Sequence, residues 1–372
     1  MALYKTLVKK VSISPEKKTK QKDYLPKGQL PIIDQGQQLI GGYSDNLDMQ
    51  LACNLPVIVF GDHTRAVKYV DFPFGAGADG IKVLEPAAGI YPKFLYYATQ
   101  YLVLRLEDRG YARHYQYIEK KELDIPSIPE QKHIVARIEE LFSELDNGVE
   151  TLRKTKQQLA VYRQAVLKDA FSHITEKKTI REMSSVVTSG SRGWAQYYSD
   201  HGAKFVRIGN LTRDRIRIDL SDIQFVDLPD DAEGKRTQLQ PNDVLVSITA
   251  DLGSIGLVPD DIEEAYVNQH IAMVRFLNPV QGEFMAWYLR SDYGQKDLLK
   301  NKRGGGKLGL GLDDIRDSRV PVVSDTEAIK IVENIEARLS VCDSIEKTVD
   351  TALQQAEAMR QSILKQAFEG RL

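Results

Sequence analysis

Three stretches of this 372-residue chain carry residue types that can do chemistry, and each lacks a partner the chemistry needs. Gly75-Ala76-Gly77-Ala78-Asp79-Gly80 has the spacing of a dinucleotide-binding loop. Such a loop must open a helix, whose N-terminus holds the pyrophosphate. Here Ile81-Lys82-Val83-Leu84-Glu85-Pro86 follows, which reads as a strand and a proline. Lys302-Arg303-Gly304-Gly305-Gly306-Lys307 has the look of a phosphate loop, yet Leu308 stands where Ser or Thr must hold magnesium. Pro229-Asp230 with Glu233-Gly234-Lys235 contains the letters of a nuclease metal site. Their separation is too short to bring carboxylates from two strands together, so a solvated turn is expected there. The histidines at 63, 114, 133, 173, 201 and 270 show no H-E-x-x-H spacing. An Asn-Pro-Pro-Tyr or Asp-Pro-Pro-Tyr motif for amino-group methylation is also missing. The chain is therefore expected to bind rather than to catalyse.

The elements that would position binding residues are written twice. Glu130 to Phe171 aligns without a gap on Glu327 to Phe368, every position shifted by 197. Matches include Ile134/Ile331, Ile138/Ile335, Asp146/Asp343, Arg163-Gln164/Arg360-Gln361 and Ala170-Phe171/Ala367-Phe368. A repeat of this kind dictates architecture before any local reading. Ile134, Ile138, Leu141, Leu145, Gly148, Leu152, Thr155, Leu159, Tyr162 and Val166 recur in steps of four and three, the heptad seam of a coiled coil. The second copy repeats the phase from Ile331, Ile335, Arg338 and Cys342 through Ile345, Val349, Ala352, Ala356, Met359 and Ile363. Its alanines call for a partner with bulkier residues, which the first copy offers. About 40 residues of helix span roughly 60 Å. An antiparallel pair within one chain is preferred over a dimerising coiled coil, and it would put two globular domains at opposite ends about a pseudo-two-fold axis. Asn147-Gly148 is a turn-like pair inside the first copy and reads as a weak point in one continuous helix.

A strand-rich region precedes each helix. In the first, strands are expected at 30–33, 56–60, 66–70 and 80–84, then a helix from Pro92 to Leu106 and a basic loop from Arg109 to Tyr115. The second repeats this order with strands at 204–208, 243–248, 254–258 and 268–276, a helix from Gly282, and the loop Lys302 to Lys307. Each is expected to close on a proline-bearing strand, Ile125-Pro126 and Val320-Pro321. The expected fold is α/β (α+β), with domains at 1–125 and 174–321 and helical spacers at 126–173 and 322–372. A net charge of −2 argues against a broadly basic nucleic-acid binder, so contacts with nucleic acid would come from local patches. No apolar run approaches 18 residues, and Met1-Ala2-Leu3-Tyr4-Lys5 has no signal-peptide core, so a cytoplasmic protein away from membranes is expected. Cys53 and Cys342 are too few for a disulfide framework.

The doubled segment resembles the specificity subunit of a Type I restriction–modification system. The resemblance is carried by Ile128-Pro129-Glu130-Gln131-Lys132-His133-Ile134-Val135 leading to Ile138-Glu139-Glu140-Leu141-Phe142-Ser143. It continues through Leu159 to Phe171 and the closing run Arg360-Gln361-Ser362-Ile363-Leu364-Lys365-Gln366-Ala367-Phe368-Glu369-Gly370-Arg371-Leu372. The resemblance implies two target-recognition domains, each reading one half of a split double-stranded DNA sequence. It implies helices that set the gap and dock two methyltransferase subunits, with restriction subunits joining through these. S-adenosylmethionine, ATP and magnesium would then belong to partner subunits, and this chain would hold no cofactor and no metal. Phosphate contacts would fall on Lys9 to Lys27, Arg207 to Arg217 and Lys296 to Lys307. Base readers are expected among His63, Arg65, Arg109, Arg113, His114 and Tyr115 in the first domain, with core or rim packing the other reading of Tyr115. In the second they are Ser189, Ser191, Arg192, Trp194, Lys302, Arg303 and Lys307, with Trp194 a surface aromatic between small neighbours. The alternatives are a coiled-coil scaffold with carbohydrate- or protein-binding domains, and an enzyme with a site of unfamiliar form.

Overall fold

The computed structural model describes every residue except 79, 108, 109, 111, 191, 214, 230–236, 301 and 303–307. It divides into two compact units, Met1–Arg153 with Asp350–Leu372, and Lys154–Val349. Two long helices run through that division: a central rod, Ile128–Ser172, and a C-terminal rod, Asp325–Phe368.

In the first unit the main sheet is antiparallel. Its strands are β1 (Val8–Val11), β2 (Val57–Gly61), β3 (Val67–Val70) and β4 (Ile81–Pro86), in spatial order β1-β4-β2-β3. The run Val57-Ile58-Val59-Phe60 is apolar without interruption because both faces are covered. Ile58, Phe60 and Leu84 meet Leu95, Ala98 and Leu102 of helix α1 (Pro92–Leu104), together with Tyr115 and Ile118 of the short helix α2 (Tyr115–Ile118). Val57, Val59 and Val83 face Ile33 and Ala76 of a second, smaller sheet, with Phe74 just before its Gly75–Gly77 strand. Gly75–Gly77 is a strand of that smaller sheet, parallel to Leu30–Ile33. A Cβ on Gly77 would lie 2.6 Å from Asp34 Cβ, so this glycine permits sheet packing rather than an approach to a nucleotide. The unit closes on Ala2–Leu3 paired with Glu122–Leu123, so the closing strand ends before Ile125-Pro126.

The second unit repeats the plan. Strands β5 (Ser184–Ser189), β6 (Val244–Ser247), β7 (Ile255–Leu257) and β8 (Ile271–Phe276) lie in the order β5-β8-β6-β7. Val244 and Val246 face helix α3 (Gly282–Arg290), while Leu245 faces the core of a second small sheet. Helix α4 (Leu312–Arg316) starts 197 residues after α2 starts, and the closing strand Arg319–Pro321 pairs with Lys177–Thr179. The 197-residue shift therefore extends upstream of the rods into the elements that end each sheet region.

The rods pair antiparallel within the chain, and each unit shows it separately. In the first, Val135, Ile138 and Phe142 pack with Ile363, Leu364 and Ala367, and Arg360 donates to Asp146. In the second, Arg163 donates to Asp343 at 2.6 Å and Arg338 to Asp169 at 2.9 Å. Arg163 and Arg360 are one repeat position, and Asp146 and Asp343 another, so the same bridge forms once in each unit. The predicted seam holds except at Gly148, Ile345, Tyr162 and Met359, which are exposed. These four are two aligned pairs. The residue after each takes the inward place: Val149, Glu346, Arg163 and Arg360 are half-buried. A 3.6-residue helix drifts from a strict 3.5 repeat, and the seam steps by one residue to follow it.

Candidate nucleic-acid interface

The residues of interest lie at one end of the main sheet. In the first unit the turn joining β2 to β3 carries Asp62, His63, Thr64 and Arg65. Asp62 is buried and organises the site: its backbone oxygen accepts from His114 N at 2.8 Å and its Oδ1 from Tyr115 N at 2.8 Å. Lys82 Nζ lies 3.5 Å from the other Asp62 oxygen. These bonds draw the segment before α2 onto the turn. His63 Nδ1 then lies 3.2 Å from Ala112 O, and Arg65 Nε donates to His114 Nε2 at 3.2 Å. The same Nε2 lies 3.3 Å from Gly110 O. His114 Nδ1 is buried and has no hydrogen-bond partner among the described residues. Arg65 adopts φ 60°, a left-handed conformation uncommon for a residue with a side chain. Beside His114 a cleft of about 300 Å³ is lined by Arg105, Glu107, Lys120 and Lys121.

Of the first-unit residues expected to read DNA, the fold thus brings His63, Arg65 and His114 together, with exposed Arg113 next to them in the chain. Arg109 lies outside the described residues. Tyr115 requires a correction. It is only 5% exposed, its ring lies 6.0 Å from that of Phe60, and burial pushes its pKa up to about 12. As the first residue of α2 it points into the core, and Lys10 Nζ covers the ring at 4.7 Å. His114 is likewise buried, so it holds the loop while Arg113 is the exposed group.

The second unit uses the same end of its sheet with different residues. The β6–β7 turn is held by Ser247, whose backbone N donates to Ser254 O at 2.9 Å and whose Oγ accepts from Ser254 N at 2.9 Å. Leu310 N donates to Ile248 O at 3.0 Å, drawing the segment before α4 onto this turn as happens before α2. Thr249 Oγ1 lies 2.9 Å from His270 Nδ1, and Gln269 Nε2 3.2 Å from His270 Nε2. Arg213 makes a two-pronged contact with Asp251 at 2.6 and 3.2 Å, which holds the Asp251 carboxyl below the usual carboxylate range. Ala250 adopts φ 56°, so both turns contain one left-handed residue bearing a side chain.

Ser189 ends β5 opposite Ala272, beside this turn, and Arg192 is exposed two residues after Gly190. A Cβ on Gly190 would lie 1.8 Å from Val267 O, so only glycine lets the strand leave the sheet there. Trp194 requires a second correction: it is 4% exposed, stacked on Phe205 at 5.6 Å and edge-on to Tyr266 at 5.3 Å. Gly193 at φ 81° turns the chain so that the indole enters the small-sheet core. Lys302 is exposed after the helix Asp292–Leu298, while Ser191, Arg303 and Lys307 lie outside the described residues. Lys10 falls in the expected phosphate-contact stretch from Lys9 to Lys27, while sequence reasoning passed over Lys82, Thr249, Gln269 and His270 as binding groups. The duplicated plan was the available signal for the last three, because they occupy the places that the His63 turn and the residues before β4 occupy in the first unit.

The two sheet ends present guanidinium, imidazole, amide and hydroxyl groups on short turns. Such groups pair with base edges and phosphate oxygens. Among the described residues no three His, Cys, Asp or Glu side chains could together hold a metal ion, and no helix is long and apolar enough to cross a membrane. The stretch 230–236, including Asp230 and Glu233, lies outside the described residues.

Comparison with known proteins returns the family that the repeated helices resemble. The chain is 26% identical over 284 residues to the Type I restriction enzyme EcoBI specificity subunit of Escherichia coli, covering 67% of this chain and 58% of that protein. It is 24% identical over 269 residues to the EcoKI specificity subunit of Escherichia coli strain K12, covering 67% and 57%. The matched region is thus little more than half the length of these relatives. No family model matches the chain. Among solved structures, one of the type I R-M system, described by its complex assembly and conformational transition, has a TM-score of 0.71 at 14% identity, covering 92% of both chains. The HsdS subunit from Thermoanaerobacter tengcongensis has a TM-score of 0.53 at 14% identity, covering 99% of this chain and 96% of that one. These structural likenesses fix the fold.

Proposed function

We propose that this chain is the DNA-specificity subunit of a Type I restriction–modification complex, each globular region reading one half of a bipartite, asymmetric DNA sequence. The observation that carries this reading is a duplicated frame with unduplicated turns. The same sheet end presents His63, Arg65 and Arg113 in one unit and Thr249, Gln269 and His270 in the other. Two copies of one frame whose turns carry different side chains suit two unlike half-sites. Each well-formed pair to a base edge discriminates by about 1–3 kcal/mol. The paired rods would dock two methyltransferase subunits and set the unread gap between halves. S-adenosylmethionine would be bound by those partners, with ATP and magnesium on a restriction subunit joined through them. In this reading the chain itself has no turnover and no resident cofactor.

Mapping of methylated bases across the genome, in cells with and without this gene, tests the proposal. A split, non-palindromic motif should lose its methylation when the gene is removed. An unchanged methylation map would rule the proposal out, and turnover by the chain alone would favour an enzyme instead.

A further inference from the structure

One cleft in the second unit, of about 610 Å³, is lined by five cationic side chains: Lys156, Arg163, Arg213, Arg215 and Arg290. They converge from three parts of the unit. The central rod supplies Lys156 and Arg163, the loop after Ala203–Val206 supplies Arg213 and Arg215, and α3 ends at Arg290. Only two carboxylates among the described residues, Asp343 and Glu346, line the same space. Both are engaged by the rod: Arg163 donates to them at 2.6 and 2.9 Å, and Lys156 lies 3.5 Å from Glu346. Arg213 is braced by Asp251, and Arg290 donates to the Arg213 backbone oxygen while lying over the Trp287 ring at 5.7 Å. Arg163, Arg213 and Arg290 are therefore oriented before any ligand arrives.

The first unit supplies an internal comparison. Arg360 there repeats the Arg163 contact through Asp146, yet residues 34–41, which follow the corresponding small-sheet strand, contain no lysine or arginine. Joining the rods does not call for Arg213 and Arg215. They are additions at one end of a duplicated frame; Arg213 is balanced by Asp251, and Arg215 raises the positive charge of the cleft.

We infer that this cleft binds the phosphodiester backbone of double-stranded DNA, as a sequence-independent anchor separate from the turns that read bases. The inference rests on the DNA-specificity reading above. Guanidinium forks match phosphate oxygens two at a time. The cleft accepts a phosphate with its flanking sugars rather than a whole duplex, so one strand would lie across its mouth.

The test uses the full chain assembled with its methyltransferase partner. Fluorescence anisotropy would follow binding to a random-sequence duplex and to one carrying the mapped target, from about 50 to 200 mM salt. For Arg215→Gln, the slope of log affinity against log salt should become shallower by about 1, or roughly 0.9 for the one phosphate no longer neutralised. Both duplexes should weaken by about the same factor, leaving target preference unchanged. Arg215→Lys, which keeps the charge and serves as the control should the glutamine variant fail to fold, should restore the slope. An unchanged slope with target preference intact would overturn the anchor while leaving the specificity reading standing. An unchanged slope with loss of methyltransferase association would make the cleft a protein-docking site instead. Absence of duplex binding by the unaltered assembly would remove both proposals.

Discussion

Glu283, in the first turn of α3, meets Glu336 of the C-terminal rod, and burial followed by that contact pushes its pKa up to about 7. Arg217, at 3.4 Å, pulls the other way without prevailing. Between the ordinary value of 4.5 and about 7 the folded chain binds more protons at this site than the unfolded chain does. Stability therefore falls as pH rises through that window. The ceiling on the effect is about 3 kcal/mol, reduced by the remaining solvent access. Thermal unfolding followed from pH 5 to about 8 should show this slope in the natural chain and a flatter one in Glu283→Gln. At Trp194 the expected penalty is for packing rather than binding. Trp194→Ala should cost about 3–5 kcal/mol of stability, whereas exposed Arg192→Ala should change stability by less than about 0.5 kcal/mol. Denaturant titration distinguishes the two. The candidate residues were legible by type, since Arg, His and Ser on turns stand out in the sequence. Their direction was not: Gly193 at φ 81° sends Trp194 inward, and backbone bonds to Asp62 fix where His114 and Tyr115 point.

The elements were far more legible, because periodicity survives in the residues themselves. A short, β-branched apolar run such as Val57–Phe60 between turns reads as a strand covered on both faces, and the heptads of both rods are explicit. What periodicity could not give was the place where the seam steps over, which depends on helical drift accumulated across 45 residues. Gly148 marks one of those places. It is exposed inside a continuous helix, and a Cβ there would meet nothing within 4 Å. Gly148→Ala should therefore stabilise the rod by about 0.5–1 kcal/mol, read as a raised thermal midpoint with unchanged helical content.

For the molecule as a whole, the compact units do not follow the chain in simple order. The first unit takes its last segment from residues 350–372. Phe368 there stacks on Tyr101 at 5.3 Å and meets Phe94 at 5.2 Å, beside Ile363, Leu364 and Ala367. Truncation after Val349 should accordingly loosen the N-terminal sheet region, with hydrogen exchange rising over α1 while β5 to β8 keep their protection. Equal loss in both units would refute this assignment. Exchange of residues 1–125 for those of a relative should change one half of the methylated sequence; a change in both halves would refute independent reading.

The two Arg–Asp bridges between the rods share an index sum of 506. Like teeth on two meshed racks, such partners stay matched only while both racks keep equal counts between them. An insertion between these positions in one rod alone would leave one bridge aligned and throw the other out of step, setting its arginine opposite the wrong neighbour. Lengthening that keeps both bridges in register takes a matching edit in each rod, at places some 200 codons apart.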